Sequence, residues 1–186
     1  MNILLIGPPG SGKGTQGDRL ATRLGLSHIA AGDVLRDEVA AQSPLGVQAA
    51  ELMERGELVP DDLVVGLLTP KIEAAVRGAG YLLDGFPRSV EQAQTVSGFA
   101  ESARPDAVIY LDAPTEELTR RILARASTEG RADDNEETVA NRLRVFDEAT
   151  RPLIDYYRQR GLLHRVNAAQ SEEDVTRAIV AALSSC

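Results

Sequence analysis

The sequence predicts an α/β fold: a mostly parallel sheet with helices on both faces. Three observations carry that prediction. Short apolar runs at residues 2–6, 81–84, 107–111 and 162–166 have the length and composition of buried strands. After each run come turn residues and then a helical pattern, an alternation that builds parallel sheets. The first run, NILLI, also opens directly into the glycine-rich string GPPGSGKGTQ at residues 7–16.

Taken in order, residues 2–6 form the first strand, bounded by Gly7-Pro8. From Gly12 a helix begins, with Leu20 and Leu24 four apart on one face and Gly25 as its stop. Residues 33–40 read as a short helix. Ser43-Pro44 follows as an N-cap with proline at the first helical position, and Gly56 ends that helix. Asp61 starts another helical segment, which Pro70 is expected to kink or break. The runs at 81–84 and 107–111 end at Asp84 and Asp112, and each leads through Gly or Pro into a helix. The string from 126 to 136, ASTEGRADDNE, is polar and turn-rich and reads as a surface loop. After the strand at 162–166, Ser171 caps a terminal helix.

Composition narrows the function. The 186 residues suit one compact domain with a sizeable core and small insertions. Net charge is −8 and the pI is near 4.8, which argues against a general nucleic-acid binder, since those carry a basic footprint. No run of about 18 apolar residues exists, so no membrane span is expected. The first residues carry no basic leader or small-residue cleavage site, and the single Cys186 excludes an internal disulfide or cysteine metal cage. We expect a cytoplasmic, monomeric protein. Lys13 and Lys71 are the only lysines among 20 basic residues. One of the two falls inside the glycine loop, which marks it as placed there.

GPPGSGKGTQ nearly spells the phosphate-binding pattern G-x-x-x-x-G-K-[ST], with Gly14 at the hydroxyl position and the hydroxyl one residue late, at Thr15. A glycine-rich turn from strand to helix lets the N–H groups of Gly10, Ser11, Gly12, Lys13, Gly14 and Thr15 converge on phosphate oxygens. The helix dipole adds about half a positive charge there. Lys13 would reach the outer phosphates, and Thr15 would hold Mg²⁺ directly or through water. The second cluster is DGFPR, Asp84 to Arg88, at the carboxyl end of a strand, where such sheets face their ligand crevice. Asp84 can orient Mg²⁺-bound water, and Arg88 offers a fork of donors for a phosphate. Asp33 and Asp112 also sit near turns in that half, and Asp33 is preferred as a second support for the metal's water. His28 and His164 look isolated, fit for packing or surface positions.

The loop with its extra glycine resembles that of adenylate kinases and related nucleoside monophosphate kinases. DGFPR, the string AAGDVLR at 30–36, Gly56 to Pro60 and the arginines in RASTEGRADDNEETVANR, from Arg125, resemble the same family. The likeness spans the chain as far as VNAAQ at 166–170. It implies a P-loop NTPase fold with a small helical monophosphate-binding insertion at about 30–59 and a short lid at about 126–136. The activity implied is reversible transfer of the γ-phosphoryl group of MgATP to AMP, giving two ADP. Mg²⁺ would arrive with ATP. No structural zinc is implied, because the lid lacks the ligands such a site needs.

Residue by residue, the resemblance puts Arg125 and the backbone of Gln170 on the donor nucleotide. Lys13, Arg88, Arg125, Arg131 and Arg142 would lie on the transferring phosphates. It puts Ala31, Arg36, Glu57, Leu58, Val59, Gly85, Phe86, Pro87, Arg88 and Gln92, with Arg131 and Arg142, around AMP. Read alone, Arg36 is a solvated helix arginine. Gln92 has two readings: its amide closes a capping box with Ser89, or it reads the acceptor base, and we favour the base. Two features depart from the family. Gln170 stands where the family has glycine, and Ala31 stands where adenylate kinases usually carry a hydroxyl. UMP/CMP kinases carry alanine there, with asparagine at the Gln92 position, so a UMP/CMP kinase is the alternative. A non-catalytic nucleotide switch would leave the acceptor-side arginines idle.

Overall fold

The computed structural model describes residues 1–98, 101–129 and 136–184, without the side chains of Ser97, 125–129 and 136–137. These residues form a five-stranded parallel sheet of β1 (Ile3–Ile6), β2 (Ser27–Ala30), β3 (Tyr81–Asp84), β4 (Ala107–Asp112) and β5 (Leu163–Asn167), in the order β2-β3-β1-β4-β5. The helices are α1 (Lys13–Leu24), α2 (Ala31–Ala40), α3 (Pro44–Glu54), α4 (Asp61–Val76), α5 (Val90–Ser97), α6 (Thr115–Glu129), α7 (Glu136–Val145), α8 (Pro152–Arg158) and α9 (Glu172–Leu183).

Successive strand residues point to opposite faces, and here both faces are buried. Leu4, Ile6, Leu83, Val108 and Tyr110 join one core layer, packed with residues of α4 and α8. Ile3, Leu5, Leu82, Ile109 and Leu111 join the other, packed with Leu20 of α1 and Val175 and Ile179 of α9. This two-sided burial makes the central strands read as unbroken apolar runs.

The chain leaves β1 for the β2 edge, returns through β3 and then crosses to β4 on the far side of β1. That reversal opens a crevice at the carboxyl ends of β1, β3 and β4. The glycine loop, DGFPR and the start of α6 all emerge there.

Four local expectations are corrected. β2 was not anticipated: it is an edge strand in which only Ile29 is fully buried, so SHIA shows neither an apolar run nor a clean alternation. α2 starts at Ala31, two residues early, because Gly32 is helical here. α4 runs unbroken through Pro70. The proline and Gly66, whose carbonyl loses its helical donor, are both exposed, so water can satisfy it. The polar segment from 126 is helical as far as Glu129, since α6 continues through it; polarity alone does not end a helix. Of the expected 126–136 lid loop, residues 130–135 lie outside the described residues.

Candidate active site

The glycine loop holds a left-handed backbone at two positions, Gly10 (φ +80°) and Gly12 (φ +87°). At Gly12 a side chain would meet open space, so the requirement there is conformational. At Gly10 a Cβ would also lie 2.7 Å from the Leu118 carbonyl and 2.9 Å from Ile122, because α6 packs directly on the loop. Lys13 opens α1, and its Nζ donates to the carbonyls of Gly7 (2.8 Å) and Pro8 (3.1 Å), which holds the charge over the loop. The next turn of α1 is anchored from behind. Buried Gln16 donates through Nε2 to the Glu172 carbonyl (2.9 Å) and accepts from Thr176 Oγ1 (2.7 Å), joining α1 to α9.

A cleft of about 900 Å³ opens in front of this loop. Gly10 through Thr15 line it, together with Asp33, Arg36, Asp84, Arg88, Arg142 and Gln170. Most of the expected site thus converges from distant parts of the chain. Asp84 is buried at the end of β3, and burial pushes its carboxyl above the ordinary value while Lys13, His28 and Arg88 oppose the shift. Asp33 pairs with Arg36. Asp112 does not join them: it accepts from Tyr110 (3.0 Å) and is paired with Arg165.

Arg88 is held by its own turn. Its Nε donates to the Gly85 carbonyl (2.8 Å), and its carbonyl accepts from Thr150 Oγ1 (2.8 Å). The Phe86–Pro87 peptide within that turn is cis. Burial lowers the pKa of the Arg88 guanidinium, and the positive charges of Arg142 and Arg36 push it the same way, against Asp84. An arginine does not shed its proton in a protein, so crowding of this kind is relieved by an anion.

A smaller pocket adjoins the arginines. Ala31, Leu35, Glu57, Leu58, Val59, Gly85, Phe86 and Gln92 line it, with Arg36, Arg88 and Arg142 at its mouth towards the main cleft. Pro87 lines the neighbouring hollow with Lys13 and Arg142. Both readings of Gln92 meet a third fact. Its amide is fixed at both ends: Oε1 accepts from the Arg88 N–H (2.6 Å), and Nε2 donates to Asp61 Oδ1 (2.6 Å). The N-cap is made by Ser89 Oγ, which accepts from the Gln92 N–H (3.1 Å), so the expected return bond to the Ser89 N–H is replaced by one to Arg88.

Sequence reasoning missed several residues. Arg121 lines the main cleft beside Ile122 and receives a brace from Glu117, 2.6 Å away. Its signal was the spacing from Arg125, since residues four apart share a helix face. Arg125 lies in α6 with its side chain outside the described residues, and Arg131 lies outside them altogether. His28 is not isolated. Its Nδ1 lies 2.8 Å from Asp18, the ring presses on Gly17, and it lines the cleft floor. Gln16 gave no sequence signal, and Asp61 gave only that of a helix start.

The donor set can be tested against Mg²⁺. Asp84, Asp33 and Thr15 offer oxygen atoms on one cleft, the chemistry this cation prefers. Among the described residues no group of three acidic or histidine side chains forms a metal cage. Mg²⁺ carried by phosphates and water, with one or two carboxylates behind the water, fits that arrangement. Among the same residues no zinc-binding group occurs, and no helix is long and apolar enough to cross a membrane.

Known proteins resemble the chain over nearly its whole length. A family model described as adenylate kinase matches residues 5–162. The chain is 46% identical to an adenylate kinase of Stenotrophomonas maltophilia over 185 residues, covering 98% of this chain and 99% of that one. It is 47% identical to an adenylate kinase of Xanthomonas campestris pv. campestris with the same coverage. A Leptospira biflexa adenylate kinase is 42% identical over 180 residues, 96% of this chain and 97% of the relative.

Proposed function

The chain belongs to the adenylate kinase family and is a nucleoside monophosphate kinase, and from this premise we propose a division of its cleft into two ends. ATP lies along the glycine loop towards Arg121, Arg125 and Gln170. AMP lies in the smaller pocket of Ala31, Val59 and Gln92, its phosphate turned to Arg36 and Arg88. The reaction is reversible transfer of the γ-phosphoryl group from MgATP to AMP, giving two ADP. UMP/CMP kinase and a non-catalytic switch are not favoured, since full-length relatives at 46–47% identity are named adenylate kinases.

The observation that carries this reading is the convergence of Lys13, Arg36, Arg88 and Arg142 on one cleft, with the three arginines also lining the adjoining smaller pocket. Phosphoryl transfer needs little covalent help from protein; it needs in-line positioning and charge to meet the equatorial oxygens. Lys13 and the loop N–H groups hold the donor phosphates, and Arg36 and Arg88 hold the acceptor phosphate. Arg142, with Arg131, meets the group in flight. Asp84, Asp33 and Thr15 would hold, through water, the Mg²⁺ that comes with ATP, and the ion would supply positive charge against the donor phosphates. Segment 30–59 acts as the acceptor subdomain, and residues 126–136 as a short lid that excludes water on closure. The enzyme is read as a cytoplasmic monomer taking free nucleotides rather than nucleic acid, in keeping with its charge of −8.

The test is steady-state phosphorylation of AMP, CMP, UMP and GMP by the purified protein with MgATP. AMP should give the highest kcat/KM; preference for a pyrimidine would overturn the reading.

A further inference from the structure

Gln92 is buried, yet its amide has no freedom to choose its own direction. A backbone N–H can only donate, and a carboxylate can only accept. With Arg88 N–H on Oε1 and Asp61 on Nε2, turning the amide over would set donor against donor at one end and acceptor against acceptor at the other. The main chain supplies the first constraint whatever residue stands at 88. The second depends on the side chain of Asp61.

We propose that Asp61 is a specificity-positioning residue, which fixes the Gln92 amide so that one N–H and one oxygen lone pair face the acceptor base in a single sense. The inference rests on the reading that Gln92 faces that base. An amide held this way matches an edge carrying a ring-nitrogen acceptor beside an exocyclic amine. Adenine has that edge, and cytosine has it too. Uracil and guanine present the reverse, a ring N–H beside a carbonyl oxygen, and meet like against like. Asp61 therefore selects amino bases over carbonyl bases. The choice of purine over pyrimidine is left to the apolar wall around Ala31 and Leu35.

Asp61 is also the first residue of α4, where a carboxylate favours the helix dipole. Asp62 shares that role without touching Gln92, so the two effects can be separated. The experiment measures kcat/KM for AMP, CMP, UMP and GMP, with thermal melting, in Asp61→Ala, Asp61→Asn, Asp62→Ala and Gln92→Leu. Asp61→Ala should narrow the AMP:UMP and AMP:GMP ratios by about tenfold, the loss falling on KM for AMP, while KM for ATP holds. The AMP:CMP ratio should not change, since both bases offer the same edge. Asp61→Asn can meet the amide in either sense and should narrow the ratios less; it preserves the side-chain shape should the alanine variant fold poorly. Asp62→Ala should leave all ratios as they are.

Equal loss across the four acceptors, or unchanged ratios in both Asp61 variants, would overturn the proposal. If Gln92→Leu also leaves the ratios intact, the placement of Gln92 at the base fails. If Gln92→Leu collapses them while the Asp61 variants do not, the placement stands and the role of Asp61 alone fails.

Discussion

The two proposed ends of the cleft, donor and acceptor, are built from different materials. The donor end is mostly main chain: one continuous loop, two glycines in left-handed conformation and a helix N-terminus. The acceptor end is mostly side chain, drawn from residues 31–36, 53–59, 85–92 and 142. A main-chain site survives most substitutions around it, so its weak points are few: its glycines and its one lysine. A side-chain site is adjustable position by position, and each position except Arg142, which faces the transferring group, should affect one nucleotide only.

The comparison breaks first at Lys13. Replacing it with Met should cut turnover roughly 10²–10³-fold, the scale for losing a preorganised group that meets transition-state charge. The fold should remain, because the Nζ bonds to the Gly7 and Pro8 carbonyls lie at the cleft and not in either core layer. Circular dichroism with a melting curve, beside a kinase assay, checks both halves. An active variant would remove the lysine from the reaction.

Next in size are Arg36→Ala and Arg88→Ala. A charge-assisted hydrogen bond is worth about 1.5–3 kcal/mol, so KM for AMP should rise roughly 10- to 100-fold while the affinity for ATP changes little. Arg88 should show the larger effect, because its guanidinium also ties down the Gly85 turn. Calorimetric titration with each nucleotide separates the ends. Equal weakening of both would mean that the cleft is not divided as described.

The same contrast decides what could be read before the structure. The loop is contiguous, so the ten adjacent residues GPPGSGKGTQ announced it. Strands β1, β3 and β4 were legible because both faces are covered and their sequences run apolar. β2 was not, since an edge strand with one fully buried residue carries no periodic signal. At the acceptor end the separation between Arg36, Arg88 and Arg142 is set by the fold, and only family resemblance joined them in advance. Arg121 was missed because its spacing from Arg125 shows that they share a helix face but not that this face of α6 meets the loop. The Asp61–Gln92 bond joins residues 31 apart and was invisible.

A finer adjustment of the acceptor end lies at Ala31, buried at the start of α2 with its Cβ 4.0 Å from where a Cβ on Gly85 would stand. Ala31→Thr adds a hydroxyl to the wall that separates purine from pyrimidine. One neutral hydrogen bond contributes about 0.5–1.5 kcal/mol, so the AMP:CMP ratio of kcat/KM should grow several-fold. The AMP:UMP ratio should grow in parallel, which sets this variant apart from changes at Asp61. Gln92→Asn should act in the opposite direction, moving the pocket towards pyrimidines. Unchanged ratios in Ala31→Thr would place the hydroxyl out of reach of the base.

The smallest effect belongs to Arg121, a side chain of the proposed donor end that is braced by a carboxylate. Glu117 receives Arg121 at 2.6 Å and Arg120 at 2.7 Å, and these bonds hold its carboxyl down at about 2. Its folded value lies below the ordinary 4.5. The pairing therefore adds stability that is present above that ordinary value and lost as the pH falls through about 2. Across the neutral range Glu117 stays charged, so its brace on Arg121 does not titrate. Glu117→Gln should raise KM for ATP about twofold, and by less in high salt, as expected for a solvent-screened pair. KM for AMP should stay constant. The variant should also lose its melting-point deficit against the wild type below about pH 2. If KM for AMP moves instead, Arg121 belongs to the acceptor end and the contrast between the two ends fails at its donor side.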